Sequence, residues 1–414
     1  MIPIVILIIL SYCLPLVFIS HKDWKKICLI WGILTIYHAV SFINGFFFRT
    51  PGADVDALDF HTTAVALSET GVFRLWFWAD LYTNLLTIVY SLADSNSIMV
   101  GQSMSIIFVS LSIIVFIRFF ELIRSDKSSM SVLVLFLLPS MILMCSVTLR
   151  ESYEIFFSLL SFYCFSHYFY SKKKIQLIFS AIAAFFMVLF HPVLSIWALF
   201  LFLFIVLEAS GISLKTVVFF FAKRKIVVLI AIGLCLTMIP VTYKQTNDVL
   251  KGENLVSSLV KGNLVHHAIY WRNMSIMYAE ISNANAIYGV PLEVDSIPAF
   301  FSSISKIGFY YFAAPLPWKV SRLIDVYATT ENLWRILLII LSLKSISRYH
   351  EKKYLLNFLF FSYLLISVVW AMGTVNFGTA MRHHLIGYWL LVLLGFPELE
   401  AFFMRRVKNK GCKN

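Results

Sequence analysis

Charge is what this chain has least of. Asp, Glu, Lys and Arg supply 14% of its 414 residues, against about 25% in an ordinary soluble domain. That shortage excludes a water-soluble globule and a disordered chain, both of which need a solvated polar surface. Cysteine is also sparse. Cys13, Cys28, Cys145, Cys164 and Cys235 lie in or beside apolar runs, and Cys412 lies in a basic tail. There is no CxxC and no Cys/His cluster, so a disulfide scaffold is excluded, a structural metal has no ligand set, and free thiols packed among apolar helices account for the cysteines. No small-residue cleavage site follows the first apolar run, which is therefore read as a retained span rather than a signal peptide. No internal repeat or low-complexity tract is visible, which weighs against an inverted-repeat transporter.

What is present is apolar. Hydrophobic residues make up 60% of the chain and aromatic residues 16%, and the mean hydropathy is +0.84. Apolar runs near the length of a bilayer crossing recur from end to end. The sequence predicts an all-α, polytopic helical membrane protein in a single integral membrane domain, 1–414, with spans at 2–20, 28–48, 98–119, 130–149, 153–170, 176–190, 194–209, 226–243, 332–347, 354–371 and 385–404. Within 176–209, His191-Pro192 suggests a turn between two short spans. Eleven spans put the termini on opposite sides. The basic loops Lys22–Lys26, Arg124–Lys127, Lys172–Lys174, Lys215–Lys225 and Lys344–Lys353 then share a side with the tail Arg405–Lys413. The positive-inside rule makes that side cytoplasmic, with the N-terminus outside. The net charge of +12 thereby needs no nucleic-acid partner. Two outer segments are large, the first loop 49–96 and the loop 244–331. Segments 81–93 and 300–317 are apolar but short, and read as interfacial or re-entrant helices.

Ionisable residues at a membrane edge are costly and are functional candidates. On the outer side they form five groups: Arg49 with Asp54, Asp56, Asp59 and His61; Arg150, Glu151 and Glu154; His191; His266, His267 and Arg272; and Arg382, His383 and His384. Each has a plain structural alternative: a solvated loop or helix N-cap for the aspartates, a helix-turn ion pair for Arg150-Glu151, a satisfied turn histidine at 191, and interfacial snorkelling for 382–384. The adjacent His266 and His267 point different ways on a helix, which is poor metal-ligand spacing. Asn273-Met274-Ser275 matches a short sequon that chance also supplies. Taken together, arginines and carboxylates at one face suit transfer from a lipid-phosphate donor. Guanidinium groups hold phosphate oxygens and stabilise the departing anion, while a carboxylate takes the proton of an attacking hydroxyl. Trp76, Trp78, Tyr270, Trp271 and Trp318 offer sugar-stacking faces or interfacial anchors.

Three stretches carry a family resemblance. PGADVDALDFHTTA after an early span resembles the start of the first outer loop in GT-C-like membrane glycosyltransferases. SVTLRESYEIFF, a KKK turn and FFMVLFHPVLSIW resemble the Wzy/EpsG-type polysaccharide polymerases, and NFGTAMRHH resembles the stretch near the end of related polymerase-like proteins. The resemblance implies an O-antigen or capsule repeat-unit polymerase of GT-C-like fold. Its substrates would be undecaprenyl-linked glycans at the periplasmic face of a bacterial inner membrane, and a chain-length regulator would be a natural partner. It implies Asp56 as base with Glu151 and Asp59 behind it, Arg150 and Arg382 on the pyrophosphate, His191 and His383 as positioning groups, and Arg49 and Arg272 as weaker contacts. No cofactor is implied, and the sequence offers no support for a divalent metal. Two other readings stay open: a GT-C glycosyltransferase adding one sugar from a polyprenyl-phosphate donor, and a flippase or transporter of lipid-linked glycans.

Overall fold

The computed structural model describes residues 2–50, 56–71, 80–124, 129–211, 264–281, 286–293, 296–320, 322–349 and 352–411. Among them there is no strand; the one β-bridge joins Ile287 to Asn376. Six helical stretches have the length and hydropathy to cross a membrane: His21–Phe46, Ile98–Arg124, Pro192–Ala209, Ile324–Arg348, Lys353–Gly373 and Phe377–Met404. Three shorter helices, Ile2–Phe18, Leu81–Ala93 and Ile175–Phe190, are apolar as well. The chain divides into two units, Met1–His191 and Pro192–Asn414.

In the first unit the helices are α1 (Ile2–Phe18), α2 (Trp24–Phe46), α3 (Asp56–Thr70), α4 (Asp80–Ala93), α5 (Ile98–Arg124), α6 (Ser129–Phe136), α7 (Pro139–Cys145), α8 (Glu151–Ser171) and α9 (Ile175–Phe190). The hub is α5, which packs against α1, α2 and α8. Gly101, Ser103, Ser105, Ser110 and Ser112 keep its surface low, so that neighbours come close. A Cβ on Gly101 would meet the Tyr90 hydroxyl and the Thr148 methyl, each at 2.6 Å. One end of this unit is basic and carries Lys26 paired with Glu121 and Asp23, and Arg118 donating to the Phe18 carbonyl at 2.8 Å.

The second unit contains α10 (Ser195–Ala209), α11 (Leu264–Ile281), α12 (Ile297–Ala313), α13 (Leu323–Arg348), α14 (Lys353–Gly373) and α15 (Phe377–Gly411). Here α13 and α14 pack on α15, and α10, α11 and α12 pack on α14. Trp197 of α10 is fully buried and donates its indole N–H to the Ser362 carbonyl on α14 at 2.7 Å. Its ring lies 6.3 Å from that of Trp389 on α15.

Several expected boundaries move. The span expected at 130–149 is two short helices, α6 and α7, because Pro139 has no N–H to give and forces Leu138 into an extended conformation with ψ 132°. Helix α13 begins at Leu323, nine residues before the expected start, and α15 runs beyond its expected span at both ends, through Pro397. The expected interfacial segments appear as α4 and α12. The expected span 226–243 lies outside the described residues.

The closest approach in the second unit tests this packing. A Cβ on Gly395 would lie 2.5 Å from the Leu338 carbonyl oxygen, a backbone atom with nowhere to retreat, whereas one on Gly32 meets nothing within 4 Å. Gly395→Val is expected to cost roughly 1–3 kcal/mol through overpacking. Gly32→Ala, in mid-helix, should be neutral or gain up to about 1 kcal/mol. Thermal unfolding of the purified variants in detergent reads both.

Candidate functional site

The first unit builds its polar end where helices stop. After α7 the chain turns through 146–150, and Arg150 occupies the N-cap of α8 in a helical conformation (φ −80°, ψ −10°) with no side-chain cap. Its carbonyl accepts from the Tyr153 and Glu154 amides at 3.0 Å. Glu151 and Glu154 occupy the first turn, where the helix dipole favours negative charge. Both are buried, and Arg150 places Nε 3.1 Å from the Glu154 carboxylate. Arg150 thus pairs one turn along, with Glu154.

The segment between α2 and α5 comes to this turn through α3. The Thr148 hydroxyl donates to the Ala57 carbonyl at 2.8 Å, with both residues buried. The Arg150 guanidinium sits 5.9 Å from the Phe60 ring centroid. Asp56, immediately before Ala57, and Asp59 are on the exposed side of the first turn of α3. Asp54 lies outside the described residues.

Beneath α3 is a cluster of buried rings. Tyr82, Tyr90, Tyr153 and Phe190 pack with Ala64, Leu86 and Val100. Phe190 stacks on Tyr153 at 5.1 Å, bringing the end of α9 to the start of α8. His191 follows at once, in extended backbone (φ −147°, ψ 116°). His61 is hydrogen-bonded to the Tyr90 hydroxyl at 2.8 Å. Its pKa is pushed below the ordinary 6.5, first by burial and then by the positive charge of nearby Arg49. Arg49 itself is exposed and donates to the Asn44 carbonyl at 3.3 Å. Asp56, Asp59, Arg150, Glu151, His191 and Arg49 are therefore gathered at one end of this unit. On α5 that end is marked by Gln102, which accepts from Ser41. The basic end is marked by Glu121, about 28 Å along the same helix at 1.5 Å per residue.

The remaining candidates belong to the second unit. Arg272 on α11 is buried and gives its guanidinium to main chain: Nε to the Val290 carbonyl, and Nη1 to the carbonyls of Ala371, Met372 and Thr374 at 3.1, 2.9 and 3.3 Å. Those last carbonyls of α14 have no partner inside their own helix. Arg272 acts as the cap of α14, and burial pushes its pKa down to about 10. Nε and Nη1 are thereby committed to the helix end, and Nη2 is buried without a hydrogen-bond partner. His383 stacks on Trp370 at 3.7 Å and shares a 2.8 Å hydrogen bond with the Thr374 hydroxyl. Arg382 is half-buried beside it. His384 is buried, with Nε2 3.0 Å from the Tyr311 carbonyl.

Other residues fall outside the cluster. Trp76 and Trp78 lie outside the described residues, as do the side chains of His266, His267, Tyr270 and Trp271. Trp318 is exposed. His38, inside the apolar run 28–48, is hydrogen-bonded to Ser11 at 3.0 Å and stacked on Tyr12. Sequence reasoning missed Arg335, which is fully buried on α13. Its signal was a charged residue inside the apolar run 332–347. Among the described residues no group of three or more His, Cys, Asp and Glu side chains is placed to hold a metal ion.

The depressed pKa of His61 gives a sign to pH dependence. Unfolded, the imidazole takes a proton near pH 6.5; folded, it takes one at lower pH. The unfolded chain therefore binds more protons between the two values, and stability falls as pH drops through that window. The loss of unfolding temperature on going from pH 7.5 to pH 5.5 should be smaller in His61→Gln than in the parent; equal slopes would place the titration elsewhere. Among known proteins, no family model, no curated protein and no solved structure matches this chain.

Proposed function

We propose that the chain is a Wzy-like polymerase of lipid-linked repeat units, an eleven-span GT-C-like protein of the bacterial inner membrane that works at the periplasmic face, with its N-terminus periplasmic and its C-terminus cytoplasmic. The observation that supports this most is the docking of the first-loop helix α3 on the Arg150 turn. It sets a guanidinium, two buried carboxylates and the exposed Asp56 at one end of the first unit. In the proposed reaction an acceptor hydroxyl attacks the anomeric carbon of a growing glycan held on undecaprenyl pyrophosphate. A glycosidic C–O bond forms as the C–O bond to pyrophosphate breaks. Asp56 takes the hydroxyl proton, with Glu151 and Asp59 as the next carboxylates in reach of the turn. Arg150 stabilises the departing pyrophosphate, since a guanidinium offers fixed N–H donors to phosphate oxygens. His191, beside the same turn, positions a sugar. Arg382 and His383 take pyrophosphate and positioning roles by resemblance alone. Arg49 is an outer contact, and Arg272 leaves the ligand set because it caps α14.

The test incubates purified protein with undecaprenyl-linked repeat units. A ladder of chain lengths supports polymerisation. Addition of one sugar from a separate polyprenyl-phosphate donor supports the single-transfer glycosyltransferase instead, and movement of intact lipid-linked glycan across a vesicle without bond formation supports a transporter. Arg150→Lys keeps the charge beside Glu154 but loses the planar fork, so the protein should stay folded while its rate falls by 10²-fold or more, on the order of the loss of one oxyanion donor. Asp56→Asn should lower activity further than Asp59→Asn; the reverse order would move the base to Asp59.

A further inference from the structure

The second unit buries a cation that the reaction above does not use. Arg335 is 0% exposed, at the middle of α13. Its Nη2 donates to the Phe312 carbonyl at 2.9 Å and to the Asn332 side-chain oxygen. Nε and Nη1 are buried with no hydrogen-bond partner. Among the described residues no carboxylate comes within ion-pair distance of it. Glu331, one turn earlier, is buried, and its main-chain carbonyl takes the Tyr388 hydroxyl at 3.1 Å. An unpaired ion in an apolar interior costs several kcal/mol even after relaxation (about 3–5 when a partner is removed).

Other unanswered groups surround it. The Tyr311 hydroxyl on α12 is buried without a partner. The Tyr311 ring lies 4.1 Å from that of His384 on α15, and the charge of Arg335 acts on both residues. His384 has one nitrogen committed: Nε2 faces the Tyr311 carbonyl, which only accepts, so Nε2 carries the proton. In the neutral ring Nδ1 is then a bare acceptor, and it too is buried without a partner. The set therefore offers guanidinium and phenol donors, one imidazole acceptor and a positive charge.

We propose that Arg335, Tyr311 and His384 form an internal site for a small protonated oxyanion, of the hydrogen phosphate or hydrogen carbonate class. Such an anion accepts from Nε, Nη1 and the phenol, neutralises the guanidinium, and gives its own O–H to Nδ1 of His384. Chloride balances the charge but has no proton for the imidazole. Arg335, Tyr311 and His384 are each at most 3% exposed, so the site takes a small ion in preference to a lipid headgroup. The site is independent of the polymerase reading, because it asks nothing of the first unit.

The test is thermal unfolding of the purified full chain in detergent at pH 7.5 and constant ionic strength, titrated with phosphate, hydrogen carbonate, chloride or gluconate. Phosphate or hydrogen carbonate should give a saturable rise of roughly 3–5 °C at a hundred times the apparent dissociation constant, with no such rise from chloride or gluconate. Tyr311→Phe removes one hydroxyl and should weaken the apparent affinity about tenfold. Arg335→Met should abolish the response and be at least as stable as the parent in gluconate, because the charge is gone. A flat response to both oxyanions, an equal rise with chloride, or a response unchanged in Tyr311→Phe overturns the site. If Arg335→Met does not fold, Tyr311→Phe decides.

Discussion

A guanidinium among apolar helices has to be answered, since each unpaired ion costs several kcal/mol away from water. Three arginines meet that demand in three ways, and much of the polar architecture follows. Arg150 sits beside a carboxylate of its own helix, half-buried at a helix start where water still reaches. Arg272 is answered mainly by main chain, with four carbonyls taking Nε and Nη1 while Nη2 is buried without a hydrogen-bond partner. Arg335 is answered only in part. The degree of satisfaction separates their roles. A guanidinium spent mostly on the carbonyls of one helix end is a structural bolt, whereas one at an open helix start or with most of its donors left over is available to something else.

Interruptions of helix make the first cluster. An uninterrupted helix hides its main chain and can present polar groups only along its side. Pro139 breaks the segment between α5 and α8, and the turn that follows exposes Arg150 at the head of α8 while Thr148 reaches across to α3. His191, before Pro192, ends α9 next to the same turn, held by the Phe190–Tyr153 stack. Small residues on α5 then let Tyr90 and Thr148 approach at Gly101, so that the cluster closes over the hub helix. The polar cluster thus forms where the helices are interrupted.

Burial and the nearby Arg49 charge push the pKa of the histidine in this cluster below its ordinary value. His61 is half-buried, bonded to one phenol and facing the positive Arg49. Burial and the Arg49 charge both favour the uncharged ring. A neutral imidazole at that position supports α3 without adding a second positive charge next to Arg150, which leaves the carboxylates of the turn as its counter-charge.

Composition and hydropathy determined that the chain is helical and membrane-embedded, because a sequence this poor in charge has no other way to bury its backbone. The outer-edge groups from 49 to 191 were also legible, since ionisable residues beside apolar runs stand out without any knowledge of contacts. Pairing was not. That Asp56 rides on the helix tied to Thr148, and that Arg272 serves the end of α14, are matters of distance between segments up to a hundred residues apart, which no local pattern encodes. Arg335 shows the same limit from the other side. Its charge was visible inside an apolar run, but only the packing of α12, α13 and α15 decided that it would be sealed from solvent with donors to spare, because burial is a property of neighbours and not of the residue itself.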